Sequence, residues 1–471
     1  DVFRRLSPMS LTVRVALLSG QTTLVAAEPS STADEIRRKA QSQLELGLAS
    51  LINNKGETLR GAQSVAELGL SDGDTLSGLR RRAQLISGRM SRAFALLRSD
   101  GAVVTWGLGY FGGDSRGVEA QLQDVNAVAA SSGAFAAVRC NGEVVTWGVR
   151  ECGGDCSSVR AQLKDVRAVQ AGMYAFAAIR GDGSVVTWGS MQSGGNSESV
   201  RHLLKDVQAI QATGKAFAAL LADGSVVTWG AAEHGGDSSP VQGKLKDVRR
   251  LYSTSRAFAA LRADGSVITW GQDMYGESDV ATLRQVHSVA ATSHAFAGVL
   301  ANGSVVTWGD RQCGGDSSTV KSQLVDVQQI FASSAAFAAV RQDGFVVCWG
   351  SASCGGDSSQ VAQQLQDVHE LKASSTAFAA IRGDRRVVTW GDVLGGADSS
   401  SVQPLLSDVQ QLEASSAAFA AILGSGDVVT WGLPSCGGDS SRVQAQLTNV
   451  DDCPDGRYRQ RKRQRTLQTP T

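Results

Sequence analysis

The 471-residue sequence predicts a mainly β protein: a β-propeller or propeller-like repeat array of nine units of about 41 residues, preceded by a separate α+β module. Three observations carry this. All nine Trp stand in one context, Val-[Val/Ile]-[Thr/Cys]-Trp-Gly, at Trp106, Trp147, Trp188, Trp229, Trp270, Trp308, Trp349, Trp390 and Trp431, spaced by 41 with a single 38. Twelve residues before each Trp lies the Phe of an Ala-Phe-Ala motif, from Phe94 to Phe419. Residues 10–82 carry no trace of that unit. Repeats of this length form propellers, solenoids or stacks, because one unit cannot bury its apolar faces without a neighbour. The spacing permits either a closed ring or an open superhelical stack.

In chain order, residues 1–9 are read as an unstructured leader, since Asp1 is no initiator and Met9 precedes the first strand-like run. Residues 10–82 read β-β-α-β-β. Leu11–Leu18 alternates, Ser19-Gly20-Gln21 turns, Thr22–Ala27 returns, and Ser31-Thr32-Ala33-Asp34 caps a helix to about Leu46. Leu48–Asn53, Lys55-Gly56 and Gly73-Asp74-Thr75-Leu76 follow. This order and the Leu-Ile-x-x-x-Gly … Gly-Asp-Thr-Leu string resemble the β-grasp domain of ubiquitin and its relatives. The resemblance places Ile52 and Leu79 in that family's hydrophobic recognition patch. The chain runs on through Arg80-Arg81-Arg82-Ala83 without a Gly-Gly end, so the domain is built in and is not a conjugated tag.

Residues 84–450 hold the nine units. Ala93–Gly107 reads as two strands around Asp100-Gly101, and Asn/Asp-Gly recurs at Asn141, Asp182, Asp223, Asp264, Asn302 and Asp343. Such pairs supply the positive φ values of a type I′ hairpin. That register sets Ala95 opposite Trp106 and Leu97 opposite Val104, with Phe94 on the other face. Both faces are apolar, so each hairpin is sandwiched between neighbours. Asp384-Arg385 and Ser425-Gly426 depart from the turn and predict looser ends in copies eight and nine. After Trp-Gly come a variable pentad, Gly-Gly-Asp-Ser-Ser in most copies, and a segment such as Val159 … Leu163 … Val166, whose i, i+4, i+7 spacing predicts a short helix of about two turns. Val166–Ala171 then predicts a further strand. Repeat five is three residues short at Gly276–Val280, in this connector. The Trp-Gly and Asp-Gly elements resemble the regulator of chromosome condensation (RCC-type) repeat. The unit is shorter than that family's, and Gly-Gly-Asp replaces its usual glycine motif.

Charge and chemistry narrow the function. The 45 Lys+Arg balance 45 Asp+Glu, which excludes a globally basic nucleic-acid binder, and 53 Gly against 7 Pro indicates many tight turns. No apolar run reaches the roughly 18 residues of a membrane span, and eight Cys make no disulfide scaffold. The expected compartment is intracellular, cytoplasmic or nuclear. Cys152, Cys313, Cys354 and Cys436 share a repeat column without His or Cys partners at ligand spacing, so no metal is expected. The Asp column (Asp114, Asp155, Asp237, Asp316, Asp357, Asp439) is explained by helix capping more simply than by Ca²⁺. The five His fall at unrelated positions and no catalytic constellation gathers, so no enzyme and no cofactor is expected.

The expected function is a non-enzymatic protein-interaction scaffold. Its candidate partner-binding residues are Ile52 and Leu79 together with pentad residues Tyr110, Phe111, Arg150, Glu151, Met191, Gln192, Glu233 and His234, because variable loops on a rigid frame bind partners. The two resemblances imply a substrate-binding or adaptor part of a ubiquitin-pathway assembly, without the HECT domain of large ligases. They imply as alternatives guanine-nucleotide exchange on, or chromatin-associated regulation of, a small GTPase; a purely structural repeat protein is the third class. The tail 451–471, with Arg457, Arg459, Arg461, Lys462, Arg463 and Arg465, is read as disordered and as the one place for nucleic-acid contact or nuclear localisation.

Overall fold

The structure, a computed structural model, describes residues 10–272 and 283–450. The leader, the shortened connector of repeat five and the basic tail lie outside the described residues.

The first domain is a β-grasp. Strands β1 (Leu11–Ala16), β2 (Thr22–Ala27), β3 (Leu48–Ile52) and β4 (Thr75–Arg80) form a sheet in the order β2-β1-β4-β3, with β1 and β4 parallel. Helix α1 (Ala33–Leu44) starts on a capping box, Thr32 with Glu35, and a second box, Ser64 with Glu67, starts the short α2 (Val65–Leu68). Strict alternation on β1 buries Val13 and Val15 against Ile36 and Ala40 of α1, leaving Arg14 and Ala16 on the outer face.

Nine three-stranded sheets follow. In blade two, strand A is Val125–Ala130, strand B Ala134–Arg139 and strand C Val144–Gly148, antiparallel throughout. Strand A is the extra strand the sequence predicts; it lies innermost, beside strand A of the next blade. Two expectations about the hairpin are corrected. Phe94 pairs with Trp106 and Leu96 with Val104, one residue away from the expected register. Only Gly101 has positive φ, and the Asp100 carboxylate accepts from Ala102 N at 2.9 Å. The loop is therefore a type I turn ending in a left-handed glycine, which adds one residue and moves Phe and Trp onto the same face. There they stack in all nine blades, with centroids 5.1 to 5.4 Å apart. The turns at Asp384 and Ser425 are not looser: Arg385 itself takes φ 62, and Gly426 keeps φ 78.

The predicted two-turn helix is a six-residue 3₁₀ segment, as at Ser157–Gln162. So short a piece gains little from α-helical bonding, and the tighter winding lets Leu163 plug the blade interface.

The blades close into a ring. Phe94, Leu96 and Trp106 of blade one share a buried cluster with Ala418, Ala420 and Ile422 of blade nine. At the A–B turns an unbroken run of backbone bonds passes from Gly214 through Ser255, Ser293, Ser334, Ser375 and Ser416 to Ser91, each amide donating to the next blade's carbonyl. The open stack is thereby excluded.

Candidate interaction surfaces

The repeat motifs resolve into a clasp between blades. Gly112 has φ 92, and a Cβ there would lie 2.5 Å from Phe135 of blade two. Its carbonyl accepts Trp147 Nε1 at 2.9 Å, and the same bond, at 2.9 to 3.1 Å, links eight of the nine junctions, Trp106 to Gly437 among them. At the ninth, the residue equivalent to Gly112 in the unit before Trp308 lies outside the described residues. In six units the Thr before Trp bonds the Ser ten residues on, as Thr228 with Ser238 at 2.9 Å. The Asp of that motif accepts the amide two residues on, as Asp316 from Ser318 at 2.9 Å, and these backbone bonds hold Asp155, Asp316 and Asp357 below the usual carboxylate range. Each carboxylate serves its own turn and none converge on an ion. The column of cysteines packs within the blade junctions or beside them.

Two surfaces remain, on opposite faces of the ring. The hairpin-tip face carries the β-grasp domain. Gly47 lies so close to the tip of blade one that a Cβ would fall 1.7 Å from Ser99 O, and a Cβ on Gly61 would fall 2.4 Å from Cys140 O of blade two. Between them sits a buried ionic joint. Arg37 bonds Asp34 at 2.6 Å and also Asp124 at the start of blade two, Arg81 Nη2 lies 3.7 Å from Asp124, and Cys140 Sγ lies 3.1 Å from Arg81 Nη2. Asp34, Asp124 and Cys140 are ligand types within 4.8 Å of one another, yet the guanidinium groups of Arg37, Arg38 and Arg81 already neutralise both carboxylates, and burial pushes the Cys140 thiol up to about 11. The chemistry is that of a joint, not of a cation site.

This docking uses the α1 side and leaves the outer sheet face free. Ile52 pairs with Ser77, and Leu79 with Ser50, so both face outward; Leu18 is fully exposed in the β1–β2 turn and Leu24 is exposed on β2. Leu79 is 47% exposed and Ile52 half-buried.

The opposite face carries the pentads. Tyr110 (70% exposed), Met191, Gln192, Arg150, Glu151 and Glu233 point outward, Arg150 paired with Asp155 at 3.3 Å. Phe111 and His234 instead turn toward the frame. Phe111 packs in the blade-two cluster with Arg92 over its ring at 5.3 Å, and His234 Nδ1 lies 3.0 Å from Ser255 O. Sequence reasoning missed Val393, Leu394 and Leu433, exposed in the loops of blades eight and nine on the face that also carries Tyr110. The available signal was the adjacent apolar pair Val393-Leu394 in a variable loop segment. The structure brings these loop residues onto one face, but sets them across the ring from Ile52 and Leu79. The basic tail residues Arg457 to Arg465 lie outside the described residues.

No family model matches the chain, and no curated protein does. Solved structures do. The ectodomain of the Physcomitrella patens receptor kinase CR4 is 19% identical with a TM-score of 0.37, covering 56% of this chain and 71% of its own. Saccharomyces cerevisiae Prp20p, described with its binding to Gsp1p and histones, is 15% identical with a TM-score of 0.35, covering 58% of this chain and 73% of its own. Caldiarchaeum subterraneum ubiquitin matches 17% of this chain over 100% of its own, at 20% identity and a TM-score of 0.15. Among the described residues no helix is long and apolar enough to cross a membrane. The chain is a mainly β protein in which a β-grasp domain precedes a ring of nine three-stranded blades.

Proposed function

We propose that this protein is a non-enzymatic scaffold that presents two protein-binding faces at once. The observation that carries the reading is the mode of docking: the β-grasp domain is held to the ring through Arg37, Asp34 and Arg81, while Leu18, Leu24, Ile52 and Leu79 stay on its outer face. A cluster of exposed apolar side chains on a rigid sheet is an interaction site by default. Tyr110, Val393, Leu394 and Leu433 supply the second face, on loops fixed by the interblade clasp. The resemblance of the first domain to ubiquitin supports a role as the adaptor part of a ubiquitin-pathway assembly.

Titration of the full chain with a purified ubiquitin-associated domain tests this. Binding that weakens at least tenfold in the Ile52→Ala, Leu79→Ala double variant, with unchanged thermal stability, supports it. Absence of binding by the wild-type chain overturns the ubiquitin-pathway part. Retention of both faces as inert surface in captures from several cell extracts, with neither the double variant nor Tyr110→Ser altering what is recovered, overturns the scaffold reading itself.

A further inference from the structure

The first unit departs from the others where the chain turns from strand A to strand B. Other copies carry Ala-Ser-Ser or its equivalents; here the segment is Ser87-Gly88-Arg89-Met90-Ser91. It crosses the central channel. Arg89 Nη2 donates to Ala291 O of blade six and to Ala332 O of blade seven, each at 3.2 Å, and Arg89 O accepts from Ser375 of blade eight at 3.1 Å. The other side of the segment walls a cavity of about 290 Å³ under the A–B turns of blades two to six.

The cavity is polar and one-signed. Ser132, Gln211, Ser253 and Ser255 line it, and among the described residues no acidic one does. Nε and Nη1 of Arg89 bond no described residue, and Arg89 has no carboxylate within ion-pair distance among the described residues. Burial alone shifts this guanidinium below its ordinary pKa, with no acidic group opposing it. The two carbonyls take both Nη2 hydrogens, so Nε–H and Nη1–H, on different sides of the half-buried guanidinium, are left as two single charged donors with no anion beside them among the described residues.

We propose that this cavity is a binding site for a small oxyanion, a phosphate- or carboxylate-bearing molecule that accepts from the unbonded Nε–H or Nη1–H of Arg89. The cavity volume limits the ligand to small-molecule size.

Calorimetric titration of the full chain with inorganic phosphate and, separately, with citrate, at ionic strength held constant with sodium chloride, tests the site. Saturable binding of one equivalent of either anion, weakened at least tenfold in Arg89→Gln, is the expected result. Gln keeps a donor for the two carbonyls while removing the charge. Response to phosphate alone assigns a phosphate ligand, and response to citrate alone a carboxylate. If Arg89→Gln does not fold, Met90→Glu decides, because Met90 is half exposed and the new carboxylate would compete for the same guanidinium. No saturable binding by the wild type, or undiminished binding in whichever variant folds, overturns the proposal.

Discussion

The junctions between blades and the joint between the ring and the β-grasp domain are built in opposite ways. A blade junction is apolar, satisfied and repeated: Phe217 is fully buried, stacks on Trp229 at 5.4 Å, and Trp229 Nε1 reaches Gly194 O at 3.0 Å. The joint is ionic, single-copy and incompletely satisfied, since Arg81 Nε and Asp124 Oδ1 are buried without a hydrogen bond. Nonpolar contact tolerates small errors at any one junction, because the next repeats the same solution. A buried ion network depends on every member, and removing one strands its partners. The ring is therefore the rigid part of the molecule and the joint the part that can be released.

Four perturbations sharpen or break that contrast. The largest effect is expected for Phe217→Ala, which opens a cavity in a blade core and costs about 3–5 kcal/mol; a denaturant melt should show the whole ring losing stability together. A loss confined to one blade would contradict the ring as a single cooperative body. Next, Asp124→Asn leaves Arg37 and Arg81 underpaired. With Asp124 partly reached by solvent, the cost is about 2 kcal/mol. Here the expected reading is local: faster proteolysis at residues 81–92 and faster alkylation of Cys140, with ring stability unchanged.

The two regions should also titrate at opposite ends of the pH scale. The motif carboxylates are held below 3.8, Asp114 to about 2 by its bonds to Arg116, so their contribution is complete above their unfolded pKa and is lost as pH falls through the folded value. Cys140 is raised from 9.0 to about 11, mainly by burial, so the folded joint retains a proton that the unfolded chain releases, and stability is lost as pH rises across that window. Thermal melts should show Asp316→Asn with Asp357→Asn blunting the acid limb, and Cys140→Ser reducing the alkaline loss. A joint that weakens in acid alone would be inconsistent with this arrangement. The smallest effect is expected for Arg385→Gly, which relieves a left-handed non-glycine residue at φ 62 and should stabilise by about 0.5–1 kcal/mol; an unchanged or lower melting temperature would show that the turn is unstrained.

Much of the fold was legible because repetition amplifies weak signals. One Asp-Gly is ambiguous, whereas a turn residue recurring at a constant distance from Phe and Trp defines a hairpin and its neighbours. The register error arose from a local detail, since Asp100 and Asn141 read as left-handed residues when in fact their side chains cap the next amide. The clasp glycines were visible as a motif, but their partner, the Trp of the following blade, lies 35 residues away and is found only by folding. At the candidate surfaces, Ile52 and Leu79 were implied by the resemblance to ubiquitin, and the strand pairing places both on the outer face. The inward turn of Phe111 and His234 was not legible, because a variable loop has no periodicity from which to assign a face.

The sequence by itself determined the number of units, the strands within them and the β-grasp order, since these rest on periodic burial and short-range turn chemistry. Tertiary structure alone decided that nine units close into a ring, that Asp34, Arg37, Arg81, Asp124 and Cys140 meet at a joint, and that Arg89 reaches blades six and seven. Closure depends on the small angle each blade adds to the last, and the joint and the crossing arginine depend on single side chains brought together from distant parts of the chain. Neither leaves a periodic mark in the amino-acid order.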